Sequence, residues 1–265
     1  MRRVLSSEFR VMSLFLFITA YSLLVTVPAD AAFVQATSTQ CADSATTQVY
    51  SFSTAPVVNN YVFVVLSAYA GTINQGTSTV TDNKSNTYTR AIQVQASANA
   101  YTAIHSAKAA TSGGTFTITI SVVSGTGNYF CSAAMEWDGI TSATLDQTSS
   151  NTGTGVLAGD SGTTAATTTA SELVVASIYP LVSSAAIGIS SPATTGYTAL
   201  GVQQDNSAHA GWQGSYKTVS ATGTQIANWT WTAANGNFGG VIATYALNTG
   251  GPVAAPRLTM LGVGP

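Results

Sequence analysis

The chain has 265 residues and is almost free of charge, because only 7% of its residues are charged and the formal net charge is −2. Nucleic-acid binding depends on clustered Lys and Arg that neutralise phosphates, and the eight Lys and Arg here form no cluster after the N-terminal segment. The composition therefore excludes a nucleic-acid partner, and for the same reason it argues against binding to an anionic membrane surface.

The N-terminal segment has the organisation of a secretory signal peptide. Three arginines accompany an uncharged apolar run at residues 11–27, and the small-residue site Ala29-Asp30-Ala31 follows it. The run is shorter than the roughly 20 residues that a membrane-spanning helix needs. We expect residues 1–31 to be removed on export, which leaves 265 − 31 = 234 residues at the cell surface or in the medium.

The two cysteines, Cys41 and Cys131, both lie in the exported part of the chain. An even number of cysteines in an oxidising compartment favours a disulfide, so we expect these two to be bonded. Two cysteines alone cannot form a zinc site, and nothing else in the sequence indicates a cofactor.

Beyond residue 31 the apolar residues recur with the period of β-strands rather than that of helices. Residues 61–66 and 173–178 are apolar on both faces, as in strands covered on both sides, whereas threonine alternates with apolar residues over 115–120. Turns rich in Gly, Asn and Ser separate these segments. The pattern predicts an all-β protein built as a sandwich or barrel.

The two halves of the exported chain carry related residues at a constant spacing. Tyr88-Thr89 matches Tyr197-Thr198 at 197 − 88 = 109, and Gly127-Asn128-Tyr129 matches Gly236-Asn237-Phe238 at 236 − 127 = 109. Tandem domains would explain this, but we predict one jelly-roll-like antiparallel β-sandwich over residues 32–247, with quasi-repeated halves at about 33–140 and 141–247. Residues 248–265 are predicted to form a flexible tail containing Pro and Gly.

A succession of short motifs resembles a known but largely uncharacterised family of exported bacterial β-sandwich modules, found in surface, secreted and phage-associated proteins. These motifs are VTDNKSNTYT at 80–89, SGG at 112–114, EWDGI at 136–140, LD at 145–146 and SELVV at 171–175. The resemblance covers roughly residues 33–247. It implies a jelly-roll-like sandwich and no established activity.

The turn at residues 82–86 has the hard oxygen ligands that calcium prefers, with Asp82, Asn83 and Asn86 as its candidate ligands. Only one of them is a carboxylate. A hairpin turn built on Asn and Ser explains the same residues, and this is the interpretation we favour.

Three constellations of residues raise the question of catalysis. Ser161, within Gly159-Asp160-Ser161-Gly162, could be activated by His105 and oriented by Asp138 or Asp146. Glu136 and Asp138 share one side of a strand as glycosidase carboxylates would, although we expect both to be solvated or to cap a turn. The second histidine, His209, follows Asp205 in a turn and is interpreted as a surface residue.

Four aromatic residues of the second half are candidates for ligand binding. Flat aromatic rings flanked by amides hold sugars in lectins and carbohydrate-binding modules. The alternative is packing in the core. The candidates are Trp212, Tyr216, Trp229 and Trp231.

These observations favour a non-catalytic extracellular module for binding or adhesion. Its expected partner is an extracellular polysaccharide or a surface protein. One alternative is a structural or assembly subunit of a surface layer or fibre, since strands so poor in charge leave their edges open to strand addition. The other alternative is a secreted hydrolase.

Overall fold

In a computed structural model of the chain, the described residues contain strands and no helix. The described ranges are 31–43, 46–69, 78–97, 100–122, 129–181, 188–190, 194–204, 211–232 and 237–248. They fall within one compact unit, Ala31–Thr249. Among these residues there is accordingly no helix that could cross a membrane.

The first nine strands form two antiparallel sheets. The larger sheet has the order β1-β9-β4-β7-β6, with β2 also pairing with β9, and the smaller sheet has the order β3-β8-β5. Their bounds are β1 Phe33–Ala36, β2 Gln40–Asp43, β3 Thr47–Ser51, β4 Tyr61–Tyr69, β5 Ser78–Asp82, β6 Thr89–Ser97, β7 Ala100–Lys108, β8 Thr117–Val122 and β9 Tyr129–Trp137.

The remaining strands form two further antiparallel sheets. Five of them have the order β10-β16-β12-β14-β13, and β11 pairs with β15. An isolated bridge between Ile189 and Trp231 extends this small sheet. The bounds are β10 Ile140–Thr154, β11 Ala158–Asp160, β12 Glu172–Leu181, β13 Thr198–Gln204, β14 Gly211–Val219, β15 Asn228–Thr230 and β16 Asn237–Leu247.

The four sheets are held together by three clusters of buried side chains. The first cluster lies between the two five-membered strand orders and includes Phe63, Trp212 and Tyr245. The second lies between β3-β8-β5 and the sheet that contains β4, and the third joins β11 and β15 to the sheet that contains β12. Each large sheet is therefore covered on both faces.

This double coverage confirms the predicted character of the central strands. Successive residues of β4 enter different clusters, Phe63 the first and Val64 the second, so the whole strand is apolar. All ten residues of β12 except the last are buried in the same way. In β8 the apolar residues are buried and the Thr and Ser residues between them are partly exposed, which is the predicted alternation.

The all-β class and the disulfide are both confirmed. Cys41 lies opposite Cys131 in the pairing of β2 with β9, and the two are bonded with a Cα–Cα distance of 4.2 Å. This bond is consistent with an oxidising compartment. The arrangement of four sheets and three clusters differs from the single sandwich expected from the sequence, because an apolar strand pattern does not say how many layers cover it.

Strand β6 is an edge of its sheet, and its pairing with β7 is irregular. The register shifts between Arg90 and Ile92 and again between Gln95 and Ser97. Such irregularities twist an edge strand away from regular pairing, which protects it from strand addition, and they re-aim side chains next to binding sites. Two cavities lie along this edge.

Candidate functional site

Two cavities meet at Arg90 on edge strand β6. We call them the tyrosine cavity, of about 410 Å³, and the histidine cavity, of about 480 Å³. Arg90 lines both of them. Both volumes lie within the range of small-ligand sites, which is about 300 to 1,000 Å³.

The tyrosine cavity has aromatic residues at its base and polar residues around them. Tyr61 and Tyr245 line it and are otherwise buried. Lys108 lies directly opposite Tyr61 in the pairing of β7 with β4, and Ser106 lies opposite Thr89 in the pairing of β7 with β6. Hydroxyl, ammonium and guanidinium groups therefore surround an apolar floor, as in sites that bind polar ligands with a hydrophobic face.

One wall of the tyrosine cavity is the turn that the sequence marked as a calcium candidate. Asp82 Oδ1 accepts hydrogen bonds from the backbone N–H groups of Lys84 (2.8 Å) and Asn86 (3.1 Å), and its Oδ2 accepts one from Asn86 Nδ2 (2.8 Å). Asn86 Oδ1 accepts a hydrogen bond from the N–H of Ala110 (2.8 Å). The turn is thereby fixed to the segment that follows β7.

These contacts leave little for a cation at the turn. The side-chain oxygens of Asp82 and Asn86 already accept N–H donors, and Asn83 Oδ1 accepts the N–H of Thr117 (3.1 Å). Calcium would have to displace these donors. Among the described residues no group of three or more His, Cys, Asp and Glu could hold a metal ion. The residues thus form the preorganised turn that we favoured.

Positive charge is concentrated at the tyrosine cavity. Two cations, Arg90 and Lys108, line it, and no Asp or Glu is among the described residues that do so. Arg90 Nη1 donates a hydrogen bond to the neutral Gln93 Oε1 (2.8 Å). In a chain with 7% charged residues, this local excess of cations favours an anionic group in the cavity.

The histidine cavity brings His105 next to a serine that the sequence did not single out. His105 Nε2 lies 3.2 Å from Ser78 Oγ, and both residues are buried and line the cavity with Arg90. Burial, and secondarily the charge of Arg90, lowers the pKa of His105 to about 4. The imidazole is therefore neutral at pH 7.

The predicted pairing of Ser161 with His105 is wrong. Ser161 Oγ donates to the carbonyl oxygen of Gly162 (3.0 Å) and accepts the N–H of Ala227 (3.0 Å), next to the small sheet of β11 and β15. His105 instead faces β5 through Ser78. Gly162 has φ +72°, so the Gly-Asp-Ser-Gly segment owes its glycine to backbone geometry.

Glu136 is buried rather than solvated, which corrects the expectation for this residue. Its side chain is fully inaccessible to solvent and accepts hydrogen bonds from Gln35 Nε2 (2.5 Å), Asn60 Nδ2 (2.5 Å) and the N–H of Val57 (2.9 Å). Asp138 is partly exposed. The three donors stabilise the buried carboxylate and attach the loop that precedes β4 to β9, so this residue has a structural role.

A carboxyl pair that the sequence did not reveal joins Asp146 and Glu172. Burial, and secondarily a hydrogen bond with Asp146, raises the pKa of Glu172. Burial acts in the opposite direction on Asp146, but hydrogen bonds from Glu172 and Thr168 outweigh it and lower the pKa of Asp146. Asp146 lies on β10 and Glu172 on β12, which are separated by β16, so spacing along the chain could not bring them together.

The aromatic candidates are mainly core residues. Trp212 and Trp229 are inaccessible to solvent and Trp231 is 4% exposed, so these rings lack the open face that stacking on a sugar requires. Tyr216 is partly exposed, and it stacks on Phe33 with the ring centroids 5.4 Å apart. Period-two alternation in β15 places Trp229 and Trp231 together, but on the inner face.

Several predictions fall outside the described residues. These are His209 with Asp205, residues 1–30 of the signal peptide and residues 249–265 of the tail. Comparison with known proteins adds no relative, since no protein-family model, no curated protein and no solved structure matches the chain. The resemblance to exported sandwich modules stays a prediction, while the antiparallel all-β architecture is shown.

Proposed function

We propose that the protein is an exported, non-catalytic binding module that holds an extracellular polysaccharide in the tyrosine cavity. The observation that carries this proposal is the composition of the cavity, an apolar floor from Tyr61 and Tyr245 ringed by hydroxyl and cationic groups. Sugars present both an apolar face and a fringe of hydroxyls, so they match such a surface.

The rigidity of the cavity supports binding. The wall at residues 82–86 is held by hydrogen bonds to Asp82 and by the contact of Asn86 with the N–H of Ala110. A wall that is ordered before the ligand arrives reduces the entropy lost on binding. The disulfide and the double coverage of the large sheet hold strands β4, β7 and β9 behind the cavity in the same way.

The test is a titration of the purified protein with neutral and acidic oligosaccharides by calorimetry. Ala110 is exposed and lines the tyrosine cavity, so Ala110→Trp should fill the cavity and abolish binding. Thr79 is exposed and lines the histidine cavity, and Thr79→Trp is the matched control that should leave binding unchanged. Failure of every oligosaccharide to bind would refute the proposal.

A secreted hydrolase is the second candidate, favoured by the contact of Ser78 with His105. A serine hydroxyl within hydrogen-bonding distance of an imidazole is the arrangement of a nucleophile and its base. It ranks second because a pKa of about 4 makes His105 a weak base at neutral pH, and no Asp or Glu is among the described residues lining this cavity. Turnover of ester or glycoside substrates that is lost in Ser78→Ala would make it the first.

We also propose that the fold consists of two diverged copies of one jelly-roll-like unit. The strand orders β1-β9-β4-β7-β6 and β10-β16-β12-β14-β13 list their strands in the same relative sequence. The constant spacing of 109 residues between Tyr88 and Tyr197 supports the same correspondence. A structure of the second half produced alone tests this, because independent folding is expected of a true copy and its absence counts against one.

A further inference from the structure

We propose that the polysaccharide bound in the tyrosine cavity is acidic, and that Arg90 and Lys108 hold its carboxylate or sulfate groups. This inference rests on the proposed function and deepens it by naming the class of ligand. It is drawn from the charges that line the cavity, their missing internal counter-ion and the position of each cation.

The charge distribution is the first argument. The described residues contain four Lys and Arg, and two of them line this one cavity. Lys84 lies in the adjoining turn, and the fourth, Lys217, lies 4.5 Å above the ring centroid of Tyr197 in the second half of the chain. A neutral sugar has no use for two cations at its site, whereas an anionic one gains charge-assisted hydrogen bonds.

The absence of a nearby counter-ion is the second argument. Asp82 is the carboxylate of the adjoining turn, and its oxygens accept the N–H groups of Lys84 and Asn86. No Asp or Glu of the described residues lines the cavity itself. The two cations therefore remain available to a ligand, in surroundings where clefts of one sign of charge concentrate ions of the opposite sign.

The two cations stand at different points of the rim. Lys108 is at the end of β7, opposite Tyr61 of the floor, and Arg90 is at the register shift of β6, opposite His105. The planar guanidinium can bind a carboxylate or sulfate with two parallel hydrogen bonds, while the ammonium acts as a point charge. This arrangement suits acidic groups that repeat along a chain of sugars.

The experiment compares three oligosaccharides of equal length, a polygalacturonate, a sulfated one and a neutral one, by calorimetry at low and high salt. We expect at least one acidic ligand to bind about tenfold or more tightly than the neutral one, and to weaken as salt rises. The carboxylated and sulfated arms identify the source of the negative charge.

Variants locate the charge contacts. Arg90→Gln and Lys108→Gln should each weaken binding of the acidic ligand about tenfold, and Arg90→Lys should restore part of the affinity. Lys217→Gln is the matched control, because it removes one charge at the position 217 − 108 = 109 residues after Lys108 and away from the cavity. Melting temperatures confirm that each variant is folded. Ser78→Ala should leave binding unchanged, since Ser78 lines only the histidine cavity.

The outcomes separate this inference from the proposed function. Binding of the neutral oligosaccharide with equal affinity, unchanged in Arg90→Gln, would overturn the acidic ligand and leave the binding module standing. Loss of binding to all three ligands would overturn both. Equal weakening by Lys217→Gln and Lys108→Gln would also overturn the inference, because it would mean that the ligand senses only the total charge.

Discussion

His105 makes the stability of the protein depend on pH, and His105→Gln tests this directly. Its pKa is lowered from 6.5 to about 4, mainly by burial and then by the charge of Arg90. Between these values the unfolded chain binds a proton at this imidazole and the folded chain does not, so acidification favours unfolding. The difference of 6.5 − 4 = 2.5 pKa units, at 1.36 kcal/mol each, corresponds to about 3 kcal/mol.

The assay is urea unfolding of the wild-type protein and of His105→Gln at several pH values between 8 and 4. Carboxylates titrate in both proteins, so the difference between the two curves isolates the imidazole. We expect the wild type to lose about 3 kcal/mol more than the variant on acidification. A difference that stays flat, or one that favours the wild type at pH 4, would refute the assignment of a buried neutral histidine. The chain has two histidines, so an NMR titration identifies the resonance that disappears in the variant.

Two further predictions concern the carboxyl pair and the disulfide. Glu172→Gln removes a carboxyl whose pKa is raised, first by burial and then by Asp146, and such a group costs stability as pH rises above its ordinary value of 4.5. The variant should therefore be relatively more stable at pH 8 than at pH 5 when compared with the wild type, and an equal loss at both pH values would contradict the shared proton. Cys41→Ala with Cys131→Ala opens a crosslink between residues 90 apart, which should lower the free energy of unfolding by about 4 to 5 kcal/mol from chain entropy. A loss below about 1 kcal/mol in denaturant unfolding would show that the closed loop contributes little.

The strands that the sequence predicted best are those whose pattern has one physical cause. In β8 the alternation of Thr with Ile follows from one buried and one partly exposed face. In β4 continuous burial follows from cover on both faces, and the sequence predicted that cover. It could not predict four layers, because the same apolar run satisfies any arrangement that covers both sides.

The site was harder to predict because its residues come together only in three dimensions. Ser78 and His105 lie on β5 and β7, which belong to different sheets, and Asp146 and Glu172 are separated by β16. The tryptophan candidates failed for a related reason. Two residues at i and i+2 share a face, but the spacing does not say whether that face is inner or outer.

The 109-residue correspondence gives a sequence signal that could have ranked these residues. Trp229 and Trp231 correspond to Ile120 and Val122, since 229 − 109 = 120 and 231 − 109 = 122, and all four are buried. Arg90 and His105 instead correspond to Ala199 and Gly214.

Positions that keep their apolar character in both halves serve the core, whereas positions that gain charge in one half need another explanation. The cation at Lys108 is kept as Lys217, but Lys217 lies over the ring of Tyr197, and Lys108 lines a cavity beside Arg90. Two copies of one strand pattern can diverge in this way when one copy keeps its surface available for a ligand and the other uses the same side chain for packing. The first half is therefore where substitutions should change binding with little effect on folding.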